Sequence, residues 1–349
     1  MRSQTASSLL FALALPVAFA CSGEAGGSAD TSRVAADTAG ATSDSAGGAV
    51  ASAGGSRATN VGPGGGREAN PMGRIPVLEY HLIGDKDSEW MVERGRFRQN
   101  LKTLYERGYR PITVAQMIDK DFSDVPSGMS PIVFTFDDAS PSQFSYIERN
   151  GQLEVDPNSV VGIWTDFVKN NPGWTNRATF CLLPGAGNGH AFFGDNVKWA
   201  GQKKEWRHQK VKWLADNGFE LCNHTLWHAQ LSKYPDAVVQ EQIARGQVAI
   251  DSAVPGYKVR TFAFPQGLWP KNRALAWKGS WTDPKSGKTT TYNHDTVLEV
   301  SGGPSRSPND PKFERNRLNR FIVNHGALEK MLDRLESATD PTERRFVVP

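Results

Sequence analysis

The chain has 349 residues, a formal net charge of +3 and 22% charged residues. This length is sufficient for one large domain with a full hydrophobic core. The lysine and arginine residues are interspersed with acidic residues rather than gathered in one run, so nothing in the composition indicates nucleic-acid binding.

The N-terminus predicts export. Arg2 is followed by an apolar run over 9–15 and a small-residue site that ends at Ala20, as in a secretory signal peptide of residues 1–20, whose apolar core is too short to span a bilayer. Cys21 follows at once. Two alternatives remain open: a lipidated Cys21 as the mature N-terminus, which would be the chain's contact with a membrane, or simple secretion. In both, the protein is exported, to the cell envelope, the periplasm or the exterior.

The next segment, residues 21–70, is dominated by Gly, Ala, Ser, Thr and Asp, and its residues 22–70 include no aromatic residue. Such a segment buries too little apolar surface to offset its ordering entropy, so we expect a disordered linker. A single catalytic domain over 71–340 follows. Its cysteines, Cys181 and Cys222, each end a predicted strand. We expect both to be small core residues rather than a disulfide, although an exported chain permits the bond.

Short apolar runs alternate with amphipathic stretches through this domain. Strands are predicted over 75–80, 131–136, 178–182, 219–222, 261–264 and 320–323. Helical patterns cover 97–105, 158–170, 196–217, 236–252 and a final helix bearing Leu328, Met331, Leu332 and Leu335. Alternation of this kind is typical of the α/β class with a parallel sheet. The number of units predicts a deformed (β/α) barrel of about seven parallel strands.

In such barrels the functional residues follow the C-terminal ends of the strands. The residues that leave the predicted strands are His81, Asp137, Asp138, His224, Pro265 and His325. The stretch "VFTFDDAS" places two carboxylates together, although adjacent Asp residues also suit turns and helix caps. In "LCNHTLWH" the two histidines are four residues apart. One Asp and two His residues make a three-ligand metal site with open positions, and the second Asp is then free to act as a base.

These motifs resemble those of a known family. "TFDD" at 135–138, "HTLWH" at 224–228 and "FAFPQG" at 262–267 are similar, in order, to the motifs of the polysaccharide deacetylases, carbohydrate esterase family 4. "PVLEYHLIG" at 76–84 resembles the first strand of the branch that acts on poly-N-acetylglucosamine. The likeness extends over 75–335, essentially the whole predicted domain.

The resemblance implies a role for each matching residue. Asp138, His224 and His228 would bind a divalent metal, and Asp137 would be the general base. Thr225 would support the metal loop through a side-chain hydrogen bond. Zinc is the default metal, although this ligand set also accepts Co²⁺, Ni²⁺ or Mn²⁺.

Three further roles carry over with departures from the family pattern. The backbone N–H of Gln266 would help to form the oxyanion hole, although the family's residue there is aromatic. Arg260 would orient Asp137, although it lies farther from Pro265 than the family's arginine does. His325 would be the general acid; the alternative is an exposed residue at the start of a helix.

The spacing also departs from the family core, because 141–176 has the character of an insertion with a helical pattern of its own. Trp199, Trp206 and Trp213 recur every seven residues, which favours core packing on one helical face. Glycan contacts are instead expected from Trp227, Trp269 and the 164–174 region.

The resemblance implies a metal-dependent hydrolase that removes N-acetyl groups from a polysaccharide and releases acetate. Peptidoglycan, poly-N-acetylglucosamine and chitin all present such groups. The alternatives are an O-acetyl esterase acting on xylan and an exported glycan-binding protein with the same fold and little turnover. Retention of Asp137 beside all three ligands disfavours the binding protein, because binding alone requires no base.

Overall fold

The computed structural model describes residues 62–187, 189–195, 200–324 and 326–349. The predicted signal peptide, Cys21, most of the predicted linker and His325 lie outside the described residues. Among the described helices, none combines the length and the apolar character needed to cross a membrane.

Fourteen strands and six α-helices occur in the described part of the chain. The strands are β1 (Val77–Tyr80), β2 (Leu82–Gly84), β3 (Met91–Glu93), β4 (Tyr109–Ile112), β5 (Ser130–Phe136), β6 (Tyr146–Arg149), β7 (Gln152–Val155), β8 (Thr179–Leu182), β9 (Glu220–Asn223), β10 (Thr261–Ala263), β11 (Lys278–Thr282), β12 (Thr289–Asn293), β13 (Thr296–Gly302) and β14 (Arg317–Ile322). The helices are α1 (Arg94–Glu106), α2 (Val114–Asp119), α3 (Val160–Asn170), α4 (Arg207–Asp216), α5 (Asp236–Ala253) and α6 (Ala327–Ser337).

Seven of the strands close into a barrel, in the order β1, β14, β13, β10, β9, β8 and β5. The ring is completed by pairing of β1 with β5, and every pair around it is parallel. The eighth strand of the sheet, β4, pairs with the first half of β5. The predicted deformed barrel of about seven parallel strands is confirmed. All carboxyl ends of the strands therefore lie at one end of the barrel, where the predicted site residues follow them.

Side chains alternate between the barrel interior and the surrounding helices, as the period of two in a strand requires. On β5, Ile132, Phe134 and Phe136 belong to the large outer core, which includes the apolar faces of α1, α3 and α6. Val133 belongs to the smaller interior cluster. The helical predictions for α3, α5 and α6 are confirmed, and α3 links the barrel strands β5 and β8. The segment predicted as an insertion therefore includes a helix of the barrel as well as the β6–β7 hairpin.

The interior cluster contains one feature that the sequence analysis judged wrongly. Cys181 and Cys222 are directly opposite each other on the paired strands β8 and β9, and their sulfur atoms form a disulfide. Both residues are fully buried, so the expectation of core positions is confirmed while the expectation of free thiols is wrong. The register that brings them together is a property of strand pairing, which the sequence pattern alone did not reveal.

The domain also extends beyond its predicted boundaries. Arg67 donates its backbone N–H to Gly128, and Asn70 pairs in both directions with Val347. Buried Arg345 lies with its guanidinium 3.9 Å from the ring centroid of Tyr109. Residues 62–70, predicted as the end of the linker, and the final nine residues therefore pack against the barrel.

Candidate active site

The carboxyl ends of the barrel strands surround a pocket of about 430 Å³. Asp137 and Asp138 follow β5, and His224 follows β9. His228 comes from the loop after β9. All four side chains line the pocket. The two motifs singled out in the sequence, 87 residues apart from Asp137 to His224, are thus brought together by closure of the barrel.

Asp138, His224 and His228 form a cluster in which one potential ligand atom from each residue lies within 4.8 Å of the others. Asp138 Oδ1 is 3.4 Å from Nε2 of each histidine. The Nδ1 atom of His224 is 2.9 Å from the Ala263 carbonyl, so it carries the proton and leaves Nε2 with a free lone pair. Asp138 Oδ1 and His224 Nε2 are buried without a hydrogen-bond partner. Orphaned acceptors that converge in this way fit a divalent cation.

The charges at the cluster also fit a cation. Burial disfavours the charged form of Asp138, but its contact with His224 and the neighbouring histidines hold its pKa well below the ordinary value. Burial likewise opposes protonation of His224, yet the carboxylates of Asp137 and Asp138 raise its pKa. Burial and the charge of His224 lower the pKa of His228 to about 4, which leaves the neutral imidazole that a metal ligand requires.

The loop that carries the histidines is held by its own hydrogen bonds. Thr225 Oγ1 accepts the backbone N–H of His228 at 3.1 Å, so the predicted support of the metal loop by Thr225 is present. Thr225 N–H in turn donates to Asn223 Oδ1 at 2.9 Å. The side chain of Asn223 lies against Gly246 of α5, where an added Cβ would come within 2.4 Å of Oδ1.

Backbone strain is concentrated at this site. Ten non-glycine residues of the described chain have a positive φ. Half of them line the pocket or adjoin its ligands, namely Asp138, Ala139, Thr225, His228 and Gln266. Each such conformation costs on the order of 1–3 kcal/mol and persists only where the surrounding structure imposes it. Strain at three of the polar pocket residues is the pattern expected of a functional centre.

Asp137 is buried and is held by Arg320 of β14. Arg320 Nη1 and Nη2 each donate to one oxygen of Asp137, both at 2.8 Å. Its other bonds reach Thr135 Oγ1 and the Glu299 carbonyl. Burial raises the pKa of Asp137, but the charges of Arg320 and His224 outweigh burial, and the pKa lies below the ordinary value. Each carboxylate oxygen retains a second lone pair, so Asp137 is ionised and able to accept a proton.

The arginine predicted to orient Asp137 was the wrong one. Arg260 precedes β10, at the opposite end of the barrel, and its guanidinium bonds to Asp119 and Asp295. Arg320 performs the expected contact instead. No motif in the sequence pointed to it, although an Arg in the barrel interior is itself a signal, because buried charges require partners.

A second group of ionisable side chains adjoins the metal cluster. Glu79 of β1, His81 and Asp137 place one ligand-type atom each within 4.8 Å of one another. His81 Nε2 is 3.4 Å from Glu79 Oε1. Burial raises the pKa of Glu79 to about 8 against the opposing charge of Arg320, and burial lowers the pKa of His81. The sequence analysis placed His81 at a strand end but assigned no role to it or to Glu79.

The pocket walls include one aromatic residue that was not anticipated. Trp90 is 45% exposed, lines the pocket and lies with its ring centroid 4.9 Å from that of His81. Trp227, predicted to face glycan, is 41% exposed. Trp164 and Trp174 are wrong as glycan contacts, because both are buried in the outer core against Phe134.

Two further predictions have mixed outcomes. Gln266 lines the pocket in a left-handed conformation, and its side chain accepts a hydrogen bond from Gln230. Trp269 is packed between Phe264 and Trp277 and donates to Glu299. Trp206 is buried, as core packing requires, but α4 begins only after it. Trp199 and His325 lie outside the residues that the structure describes.

The closed barrel and the carboxylate–imidazole cluster at its strand ends define a (β/α) barrel protein with a candidate hydrolytic metal centre. Residues 175–278, which include β8, β9, β10 and the histidine loop, match the family of polysaccharide deacetylases. The resemblance of the chain to the polysaccharide deacetylase family is thereby confirmed.

Solved structures show the same fold. BC0361, a polysaccharide deacetylase from Bacillus cereus, has a TM-score of 0.51 and 18% identity, over 75% of this chain and 69% of that one. The Streptococcus pyogenes deacetylase PplD, in complex with acetate, has a TM-score of 0.49 and 15% identity, over 72% and 93%. IcaB from Ammonifex degensii has a TM-score of 0.48 and 16% identity, over 76% and 96%. No curated protein matches the sequence.

Proposed function

We propose that this protein is a metal-dependent hydrolase that removes N-acetyl groups from an exported or cell-wall polysaccharide, such as an N-acetylglucosamine polymer or peptidoglycan. The observation that carries the proposal is the juxtaposition of a three-residue ligand cluster with an ionised carboxylate, Asp137, in one pocket. The family match supports the reaction class. The signal-like residues 1–20 support an exported location, with Cys21 as a site for a lipid anchor.

Asp138, His224 and His228 would hold the metal, which we take to be Zn²⁺ by ligand type, with Co²⁺, Ni²⁺ and Mn²⁺ as substitutes. When bound, a divalent ion supplies Lewis acidity for the acetyl carbonyl and for the attacking water. Asp137 takes a proton from that water, because it is ionised and Arg320 holds it in place by two hydrogen bonds. The Gln266 backbone N–H, in the opposite wall, is the proposed donor to the developing oxyanion.

The departing amine requires a proton, and we assign its donor to His81. Its ring lies in the same pocket as Asp137, with a nitrogen within 4.8 Å of an Asp137 oxygen. Base and acid then face a substrate from one cavity. Cleavage of the amide C–N bond leaves the electron pair on nitrogen, His81 supplies its proton, and acetate and a free glucosamine unit result.

The test is acetate release by the full chain from a panel of acetylated glucosamine oligomers, peptidoglycan, chitin and acetylated xylan, with and without a chelator and added Zn²⁺. We expect metal-dependent release from an N-acetylated polymer. Release from xylan alone would identify an O-acetyl esterase instead, and bound metal without release from any polymer would favour a glycan-binding protein.

Two matched variants separate the roles of the adjacent carboxylates. Asp137→Asn is expected to abolish release while the metal content stays near that of the wild type. Asp138→Asn is expected to lose both. Equal metal content in the two variants, or residual wild-type activity in Asp137→Asn, would refute the assigned roles.

A further inference from the structure

Glu79 is a buried carboxylate for which neither the metal cluster nor the base provides a reason. It lies on β1 with 1% of its surface exposed, and the position opposite it on β5 is Thr135. Its side chain lines the active-site pocket. Neither carboxylate oxygen has a hydrogen-bond partner within the described part of the molecule. A buried carboxylate in this state is costly, so its presence beside the pocket calls for a function.

Two groups contact the side chain of Glu79. Oε2 is 3.2 Å from Arg320 Nε, and Oε1 is 3.4 Å from His81 Nε2. The Arg320 contact is the weaker half of a shared arrangement, because both terminal nitrogens of Arg320 are directed to Asp137 at 2.8 Å. The second oxygen of Glu79 is therefore free to act on the imidazole.

We propose that Glu79 is a positioning residue that fixes the ring orientation and the protonated nitrogen of His81 for proton transfer to the departing amine. This inference rests on the proposed function. A carboxylate beside one nitrogen of an imidazole orients the ring and stabilises its cationic form, and the other nitrogen is left to face the substrate. The distance of 3.4 Å closes to a hydrogen bond when the pocket is loaded, as contacts at catalytic sites do.

The same arrangement links the two sides of the reaction. Arg320 contacts Asp137 through its terminal nitrogens and Glu79 through Nε. The proposed base and the residue that positions the proposed acid are thus fixed by one guanidinium. Trp90 packs against the His81 ring and limits its rotation from the solvent side.

A second metal ion held by Glu79, His81 and Asp137 is the competing explanation, because these atoms also cluster within 4.8 Å. The position of Arg320 argues against it. A cation there would face a guanidinium that already occupies both oxygens of Asp137 and lies 3.2 Å from Glu79. Like charges at this separation in a buried site repel strongly.

The experiment compares wild type with Glu79→Gln, which keeps the shape of the side chain and removes the carboxylate. Three quantities are measured on the Zn²⁺-loaded full chain: kcat and KM for acetate release, bound zinc per chain, and the ¹⁵N chemical shifts of the His81 ring. We expect kcat to fall by roughly 10-fold to 100-fold with KM within about 2-fold. Zinc content should not change, and the His81 shifts should report a different tautomer.

Thr135→Val is the matched control, because it removes another interior contact of Arg320 without touching His81. It is expected to leave the His81 shifts unchanged. Unaltered kcat in Glu79→Gln, a rise in KM alone, or unaltered His81 shifts would overturn the proposal. Loss of one of two bound zinc ions would establish the second metal instead. If wild type releases no acetate from any polymer, the proposed function fails, and the His81 shifts of the two proteins still decide the positioning role.

Discussion

Removal of the Arg320 guanidinium is the sharpest test of the electrostatics described above. Arg320→Met keeps most of the length of the side chain but leaves Asp137, which is 1% exposed, without its cation. The variant loses two charge-assisted bonds of 2.8 Å to Asp137 and a 2.6 Å bond to the Glu299 carbonyl. Removing one partner of a buried ion pair costs about 3–5 kcal/mol, because the remaining charge is uncompensated. We expect the free energy of unfolding to fall by this amount in urea titrations of metal-free protein.

The loss should depend on pH in a defined direction. In wild type, the lowered pKa of Asp137 means that the pair stabilises the fold above the ordinary carboxyl range and that this stability is lost as pH falls through the lowered pKa. In Arg320→Met, burial acts alone on Asp137 and raises its pKa, so the variant loses stability as pH rises. The difference between the two proteins should therefore be small in acid and largest near neutral pH.

A surface arginine provides the control. Arg245 pairs with Glu241 one turn away on α5 and is 43% exposed, so Arg245→Met should cost under about 1 kcal/mol. The double variant Arg320→Met/Asp137→Asn should recover part of the loss, because no uncompensated charge then remains. A deficit below about 1 kcal/mol for Arg320→Met, or one that does not change with pH, would refute the reasoning.

Three further predictions follow from the same structure. Gly246→Ala should destabilise the protein by about 1–3 kcal/mol and weaken zinc binding, measured by competition with a chromogenic chelator, because the new Cβ would meet Asn223 Oδ1 at 2.4 Å; a gain in stability from better helix propensity alone would contradict this. Replacing both cysteines of the β8–β9 disulfide by alanine should cost up to about 4 kcal/mol in urea unfolding, from the entropy of a loop spanning 41 positions, whereas a barrel of undiminished stability would assign the bond no such role. Trp90→Ala should raise KM for acetylated oligomers several-fold with little change in Tm, whereas Tyr234→Ala, at a similarly exposed position outside the pocket, should not.

The part of the site that was predictable from sequence is the part encoded in short segments. Asp137 and Asp138 directly follow an apolar strand, and the two histidines share one loop, so the strand-end rule placed all four together. Arg320 was not predictable in this way, because it is 183 positions from Asp137 and meets it only when β14 closes the ring beside β1. Long-range contacts of this kind depend on barrel closure and register, which have no local signature.

Arg260 shows that the strand-end rule could have been applied more strictly. This residue precedes β10, so its side chain starts from the amino end of a parallel strand, whereas Asp137 follows the carboxyl end of β5. All strands of the barrel run in the same direction, and the two residues therefore begin at opposite ends. Direction alone excludes the contact, whatever the spacing to Pro265.

The alternation along β1 and β5 also explains why the polar pair at the top of the barrel is strong. Val77 and Val133 belong to the apolar interior cluster, which also contains the disulfide, and two residues further along the same strands come Glu79 and Thr135. The period of two that buries Val133 therefore directs the next inward positions of β1 and β5 to the pocket. Because an apolar, cross-linked layer closes the barrel beneath them, water has no access from below and the charges at Arg320 act in a medium of low polarizability. Replacing Val133 by a polar residue would admit water and weaken the hold on Asp137, so the interior layer is part of the catalytic design as well as of the fold.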